Sequence, residues 1–337
     1  MRKIMIVKHA ILHILDKDAG NLIASQGEID LTQPGLHDYF EKITAKFQVS
    51  DYKTGVLMGT DYLAQVVDDA NGLTFAEKTT QLAEKLFDVI AASEAVPAGD
   101  LISVEFSEGM DDFLGIFKLN FAPHYAHMVD YRDDQLVNNL VLNQAILPSA
   151  SQKVDEGLIL NLMTGEYLLV EKQYLIDGHR VNYFSERFLE IKPETSTKDN
   201  INTIKRAVKS VAAKFDVPEH EALANTQNAI FDAVQEDGQI KTSEIADAVF
   251  QGNISAKQAY QEVLTDKNLA EEIVVPNAPR YEKKYHVQRF KLDSGIEIAI
   301  PIDIYQDRSK VEFINNPDGT MSLMIKDIES IVNKFTS

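Results

Sequence analysis

Hydrophobic and polar positions change their period several times along the 337-residue chain. From Lys3 to Leu15 the apolar residues form a short β-favouring block, and Leu22 to Ile29 predicts a second short strand after the turn Asp18-Ala19-Gly20-Asn21. Pro34 suits a first helical turn. Leu36, Tyr39, Phe40, Ile43 and Phe47 follow at helical spacing, which predicts an amphipathic helix with one buried face. Thr74 and Glu77 form a capping-box pair ahead of Leu82, Leu86, Val89 and Ile90, so a second helix is expected over about 75–92. Between Leu101 and Ile191 the pattern turns strand-like. The clearest runs are Leu101 to Phe106, Phe113 to Phe121, Leu158 to Leu162 and Glu166 to Val170, with Thr164-Gly165 as a hairpin turn.

A Pro-Glu-Thr-Ser-Thr stretch at 193–197 marks a shift of composition. Ile201, Ile204, Val208, Val211 and Phe215 then trace one helical face until Pro218 breaks it. Further helices are expected over 218–236, 243–250 and 255–264. From Tyr285 the chain returns to strands: Ile296, Ile298 and Ile300 alternate, Asn316-Pro317-Asp318-Gly319 reads as a tight turn, and Met321, Leu323 and Ile325 alternate again before a short terminal helix. The fold class read from this order is α+β. Residues 1–192 form an N-terminal domain with a mixed or antiparallel sheet and helices. Residues 193–337 form a C-terminal domain, in which helices over 197–275 precede a small antiparallel sheet and terminal helix over 285–337.

Composition excludes several classes. With 45% hydrophobic and 25% charged residues the chain is neither disordered, collagenous nor a coiled coil as a whole. It has no cysteine, so thiolate metal sites, iron–sulfur clusters, disulfides and cysteine nucleophiles are absent. No window reaches ~18 uninterrupted apolar residues, and Met1 to Leu15 is interrupted by His9 and His13 with no cleavage site after it, which reads as a soluble cytoplasmic protein. The net charge of −19 should on average repel nucleic acid and anionic membranes.

That charge is unevenly distributed. Residues 1–190 carry net −14 and residues 216–275 net −9, whereas residues 191–215 carry net +4 and residues 276–337 are balanced. At ~100° per residue, Lys198, Lys205, Arg206 and Lys209 fall in one sector beside the apolar stripe of the 197–215 helix. Such a helix can pack on the protein and show cations to a partner; the plainer reading is a solvated face that neutralises acidic helices nearby. A second cluster, Arg280, Lys283, Lys284, Arg289 and Lys291, is interleaved with Tyr281, Tyr285 and Phe290, a pattern that suits nucleic acid or, on strands, outward charges between inward rings. Whether the two clusters adjoin in space is open at this level.

No catalytic, metal or cofactor site emerges. His124-Tyr-Ala-His127 with Asp130 has an i, i+3 imidazole spacing, but Pro123 argues against a preceding helix and no His-Glu-x-x-His is present, so a structural or surface role is favoured. Asp111-Asp112 and Asp133-Asp134 read as solvated loops rather than acid–base pairs. Glycine-rich phosphate loops and nucleophile elbows are missing. Ser243 to Phe250, the turn Gln251-Gly252-Asn253 and a helix from Ser255 have helix-turn-helix lengths, yet that second helix offers only Lys257 against Glu262.

The stretch Ile204-Lys-Arg-Ala-Val-Lys-Ser-Val-Ala-Ala-Lys-Phe215, the acidic helices after it, and the C-terminal Gly295-Ile-Glu-Ile, Val311-Glu-Phe and Thr320-Met-Ser-Leu-Met-Ile-Lys326 segments resemble the bacterial nucleoid-associated protein family (NdpA-like). Phe113-Leu-Gly-Ile-Phe-Lys-Leu and Thr164-Gly-Glu-Tyr-Leu-Leu-Val extend the resemblance through the N-terminal half. It implies a cytoplasmic, nucleoid-located, non-enzymatic protein that binds double-stranded DNA without strong sequence specificity and uses no cofactor; at least one member of the family is linked to a type II topoisomerase, which makes that enzyme a candidate protein partner. Phosphate contacts are then expected from Lys198, Lys205, Arg206 and Lys209, helped by Lys283, Lys284, Arg289 and Lys291. The alternative is an acidic adaptor docked on a cationic nucleic-acid enzyme such as that topoisomerase. A third reading, a metal-dependent hydrolase using His124 and His127 with an acidic pair, is opposed by the absent motifs. The sequence leaves the oligomeric state open.

Overall fold

In the computed structural model, which describes residues 5–332, the long apolar runs of the N-terminal half pair into one antiparallel sheet. The chain divides by its contacts into two units, Met1–Ser196 and Thr197–Ser337. The first contains β1 (Met5–Asp16), β2 (Asn21–Ile23), α1 (Leu36–Gln48), β3 (Lys53–Val56), α2 (Tyr62–Val67), α3 (Phe75–Ala91), β4 (Gly99–Glu108), β5 (Asp111–Asn120), β6 (Ala122–Arg132), β7 (Gln135–Ile146), β8 (Glu156–Asn161), β9 (Glu166–Val170), β10 (Tyr174–Ile176) and β11 (His179–Val181). The main sheet has the order β2-β1-β4-β5-β8-β9-β3. Together with the helices it makes the fold α+β.

Helices cover this sheet on both faces, which is why β4, β5 and β8 read as nearly continuous apolar runs rather than alternating ones. Leu101, Ile116, Leu158 and Leu169 pack with Leu82, Leu86 and Ile90 of α3, Leu63 and Val66 of α2, and a π-helical segment at Phe184–Leu189. Ile102, Phe117 and Ile159 face the other way, against Phe40, Ile43 and Phe47 of α1, with the Phe47 and Phe117 rings edge-on at 5.4 Å. The capping box ahead of α3 forms as the sequence indicates: Thr74 Oγ1 accepts from the Glu77 N–H, and Glu77 Oε2 accepts from the Thr74 N–H. The strand expected over Leu22 to Ile29 stops at Ile23. Beyond it the Ser25 N–H donates to His13 Nδ1, and the Ser25 hydroxyl closes a local turn on the Gly27 carbonyl.

Two polar groups are buried in this unit at recognisable cost. His13 is fully buried; its Nδ1 accepts from Ser25, so Nε2 carries the proton and donates to Thr79 Oγ1 at 3.1 Å, which in turn donates to the Ala76 carbonyl. Lys118 on β5 and Glu156 on β8 are register partners, both without solvent exposure, with Nζ 3.2 Å from Oε2. Tyr183 donates its hydroxyl to the same Oε2 at 2.5 Å, and Lys118 also donates to Asn120 Oδ1. Burial pushes the Lys118 ammonium below its ordinary value, against the pull of Glu156.

The second unit contains α4 (Thr197–Lys214), α5 (Glu219–Glu236), β12 (Gln239–Lys241), α6 (Thr242–Val249), α7 (Ile254–Asp266), β13 (Glu272–Val274), α8 (Ala278–Tyr285), β14 (Val287–Lys291), β15 (Glu297–Pro301), α9 (Ile302–Gln306), β16 (Val311–Asn315) and β17 (Met321–Ile325). The apolar faces of α4 to α8 share one core, and three two-stranded ladders accompany it. Helix α4 ends as its sequence dictates. Asp216 adopts the left-handed region (φ 54), the Val217 N–H reaches back to the Ala212 carbonyl at 2.9 Å, and Pro218 prevents continuation. Residues 326–332 are not helical, and the rest of the expected terminal helix lies outside the described residues.

Two outcomes follow from the buried polar groups. Burial lowers the His13 pKa from 6.5 to about 4, so the folded chain binds fewer protons than the unfolded one between those values. The corresponding stability is fully present above the unfolded value and is lost as pH falls towards the folded one. The melting temperature of the wild type is therefore expected to drop more steeply than that of His13→Gln on going from neutral pH to about 4.5. Asp100, pushed up to about 6 by burial, titrates with the opposite sign, and the comparison with the variant isolates His13. For the ion pair, Glu156→Gln leaves Lys118 without its counter-charge and is expected to cost about 3–5 kcal/mol in denaturant unfolding, whereas Lys118→Met combined with Glu156→Gln recovers most of that loss.

Candidate nucleic-acid interface

The basic helix foreseen from the sequence is α4, and its packing fixes where each cation goes. Ile201, Ile204, Ala207, Val208, Val211 and Ala212 are buried, which leaves Lys198, Arg206 and Lys209 exposed and Lys205 at the margin, half-buried. The second cluster is placed differently from the expectation. Arg280, Lys283 and Lys284 lie on helix α8 rather than on a strand, with Pro279 in its first turn; Arg289 and Lys291 are on β14. The tyrosines interleaved with them point into the core: Tyr281 and Tyr285 are one helical turn apart, buried, and stacked at 6.2 Å with 25° between their planes.

Helices α4 and α8 bring the two clusters together. The Lys205 ammonium lies over the Tyr285 ring at 5.4 Å from its centroid, and the Lys284 ammonium lies over the same ring at 5.1 Å. Lys284 also approaches the Tyr281 ring, at 5.6 Å. Burial, then the neighbouring charges of Lys284 and Lys209, hold the Lys205 pKa below its ordinary value. No carboxylate pairs with Lys205 among the described residues; the ring is its partner. Two ammonium groups from different helices thus share the face of one aromatic ring.

A groove of about 800 Å³ opens beside this cluster. Lys205, Lys209, Arg289 and Lys291 line it with cationic groups, while Leu223, Phe290 and Phe313 supply apolar surface. Its walls are held by side-chain amides. Gln227 of α5 donates to the carbonyls of Tyr285 and Val287, both at 2.9 Å, and the buried Gln288 donates to the Ala224 carbonyl at 2.9 Å and to Asn228 Oδ1 at 2.8 Å. The rings of Phe290, Tyr305 and Phe313 meet pairwise at 5.4 to 6.1 Å and tie the two last hairpins together. Two groove cations have acidic neighbours: Lys209 with Glu219 at 2.5 Å and Lys291 with Glu297 at 3.7 Å. All four side chains are at least half exposed, and pairs of that kind are worth ~0–1 kcal/mol, so exchange of the carboxylate for a phosphate costs little.

Not every expected contact joins this groove. Lys198 precedes Lys205 by seven residues, about 10 Å along the helix, and Arg206 is turned ~100° from it. Neither they nor Lys283 and Lys284 line the groove, although all four are exposed. The sequence reading overlooked the tyrosine platform; the i, i+4 spacing of Tyr281 and Tyr285 behind Pro279 was its available signal.

The remaining candidates resolve as structural. His124 and His127 are exposed on β6, and three residues apart on a strand they point to opposite faces, so they do not form a metal pair. Asp112 accepts from Lys8 and Ser107, both at 2.6 Å, and these bonds hold its carboxyl below the usual range. Asp133 and Asp134 form the two-residue turn between β6 and β7. The α6–turn–α7 segment forms, but Lys257 is engaged by Asp247 at 2.5 Å. Among the described residues, His37, Asp38 and Glu41 bring three ligand atoms within 4.8 Å on α1, a cluster that includes none of the groove residues. No helix among the described residues is long and apolar enough to cross a membrane.

Comparison with known proteins bears on the whole of this arrangement. No curated protein matches the chain. Residues 11–332 match the family described as nucleoid-associated protein YejK, a span that contains all of the first unit's sheet except the start of β1, and every groove residue of the second unit. The chain is thus a member of the nucleoid-associated protein YejK family, with a nucleoid-associated role.

Proposed function

We propose that this protein is a cytoplasmic, non-enzymatic member of its family that binds double-stranded DNA directly, without strong sequence specificity and without a cofactor, through the cationic groove of the second unit. The observation that carries this reading is the meeting of Lys205 of α4 and Lys284 of α8 over one tyrosine ring, at the side of a groove lined by Lys205, Lys209, Arg289 and Lys291. Lysine and arginine at phosphates give affinity without reading bases. Lys198, Arg206 and Lys283, exposed but outside the groove, extend the same surface to more distant phosphates.

The net charge of −19 does not oppose this. At physiological ionic strength exposed charges more than ~8 Å apart are largely screened, so a phosphate in the groove responds chiefly to the cations lining it. The rest of the acidic chain lowers affinity as a background and favours easily reversed contacts. The second reading, an adaptor docked on a type II topoisomerase, draws on bulk charge and family resemblance, whereas the groove offers a specific place for phosphate.

Four phosphate contacts, from Lys205, Lys209, Arg289 and Lys291, give an expected slope of about −3.6 in a plot of log affinity against log salt, at ~0.9 for each contact. In fluorescence anisotropy on a labelled duplex, Lys205→Gln combined with Arg289→Gln is expected to weaken binding at least ~10-fold for every sequence tested and to flatten the slope by about 1.8. Unchanged affinity and slope in that variant would place the DNA contact elsewhere.

A further inference from the structure

Strands β6 and β7 form a ladder of their own, joined to no other strand among the described residues. With 11 residues in β6 the ladder extends about 36 Å at ~3.3 Å per residue. Its turn is the tight two-residue kind: Asp133 and Asp134 both take left-handed backbone (φ 48 and 61), which matches the right-handed twist of the strands. An isolated two-stranded ribbon is marginally stable in water, so an arm of this length calls for something to cover it.

The register separates the arm into two unlike faces. Directly opposed residues point the same way, so Tyr125 with Leu142, His127 with Leu140, Val129 with Asn138 and Tyr131 with Leu136 make up one face. Its six apolar or aromatic side chains are exposed by between 40% (Leu142) and 75% (Leu140). The other face carries Asp130 and Arg132, which pair at 2.6 Å, together with His124, Gln135, Asn139 and Asn143 and a smaller apolar set of Ala126, Met128, Val137 and Val141. The first face thus presents on the order of 700 Å² of mainly apolar surface, close to the ~800 Å² each partner contributes to a standard interface and beyond what a monomer commonly exposes.

We infer that this face is a homodimerisation arm, covered by the same face of the arm of a second copy of the chain. Charge selects that occupant. Two copies at −19 repel almost everywhere, and this face carries no acidic or lysine or arginine side chain, so like can meet like here without a charge penalty. DNA and anionic membranes are poor occupants, because the arm's sole Lys or Arg is Arg132, already paired, and its tip is Asp133-Asp134. A cationic protein would find no carboxylate on the face to meet. The pattern is also self-complementary. A Tyr–Leu pair stands at each end, so arms laid antiparallel about a two-fold axis set the Tyr125–Leu142 end of one over the Tyr131–Leu136 end of the other.

The inference is independent of the DNA reading, and its test uses the full chain without DNA. Light scattering after size exclusion is expected to give a mass twice that of one chain across the micromolar range. Leu140→Asp, which puts a charge at the middle of the face, is expected to halve that mass while leaving the far-ultraviolet circular-dichroism spectrum that of a folded chain, and Asn139→Asp on the opposite face is expected to leave the dimer intact. The absence of cysteine supplies a second readout: Val129→Cys is expected to give a covalent dimer with a short bis-maleimide, and Asn139→Cys is not. A wild-type monomer at every concentration, or a dimer indifferent to Leu140→Asp and uncrosslinked at Val129→Cys, overturns the proposal; the monomer would leave the face to a different protein.

Discussion

The second unit depends on how α5 satisfies backbone groups that its neighbours leave open. Gln227 projects from this helix to the carbonyls of Tyr285 and Val287, where α8 has ended and β14 has begun and no regular ladder bond is available to both. Gln288 returns the contact from β14 to α5. Buried amides of this kind are costly when half-satisfied and highly orienting when fully used. They fix the end of α8 beside α5, against which α4 also packs, and from that position Lys205 and Lys284 meet over the Tyr285 ring. The groove is therefore a product of polar bonds in the core rather than of the cations themselves, which repel one another.

Aromatic packing provides the counterweight to that repulsion. Lys205 is depressed in its protonation equilibrium by burial and by its cationic neighbours, and what offsets this is the face of a tyrosine ring rather than a carboxylate. The distinction matters for function. A lysine locked to a buried acid is neutralised for good, whereas a lysine resting on a ring keeps its charge available to an incoming phosphate. Where acids do approach, at Glu219 and Glu297, they do so at the solvent edge and bind weakly. The local balance is cationic within a chain that is strongly acidic as a whole.

The first unit solves a different problem. Its seven strands are covered on both faces, and the cost of that coverage is polar burial at Lys118, Glu156 and His13. The long ribbon of β6 and β7 stands apart from that sheet, with six exposed apolar or aromatic side chains and no acidic, lysine or arginine group on one face, and its Asp130–Arg132 pair on the other. Within the sheet, such an alternation would be completed by a helix. Outside it, the same pattern is a surface in want of a partner.

Much of the secondary structure was legible in the amino-acid sequence because it is written in local terms. The capping box at Thr74 and Glu77, the turn at Thr164-Gly165, the apolar stripe of α4 and the stop at Pro218 each depend on residues a few positions apart, and each is realised. The candidate cations, too, were visible as two clusters. What the sequence could not determine was anything resting on residues distant along the chain. Whether Arg280 to Lys284 were helical was ambiguous, since basic and aromatic residues mix on either element, and burial of Tyr281 and Tyr285 decided it. The meeting of Lys205 with Lys284, nearly eighty residues apart, is a consequence of both helices packing on α5. Likewise His124 and His127 differ from a metal pair only through the pleat of a strand that no local signal required. Local propensity set the pieces of this protein; long-range packing, which alone brings distant side chains within a few ångströms, decided which charges gather and which apolar face is left uncovered.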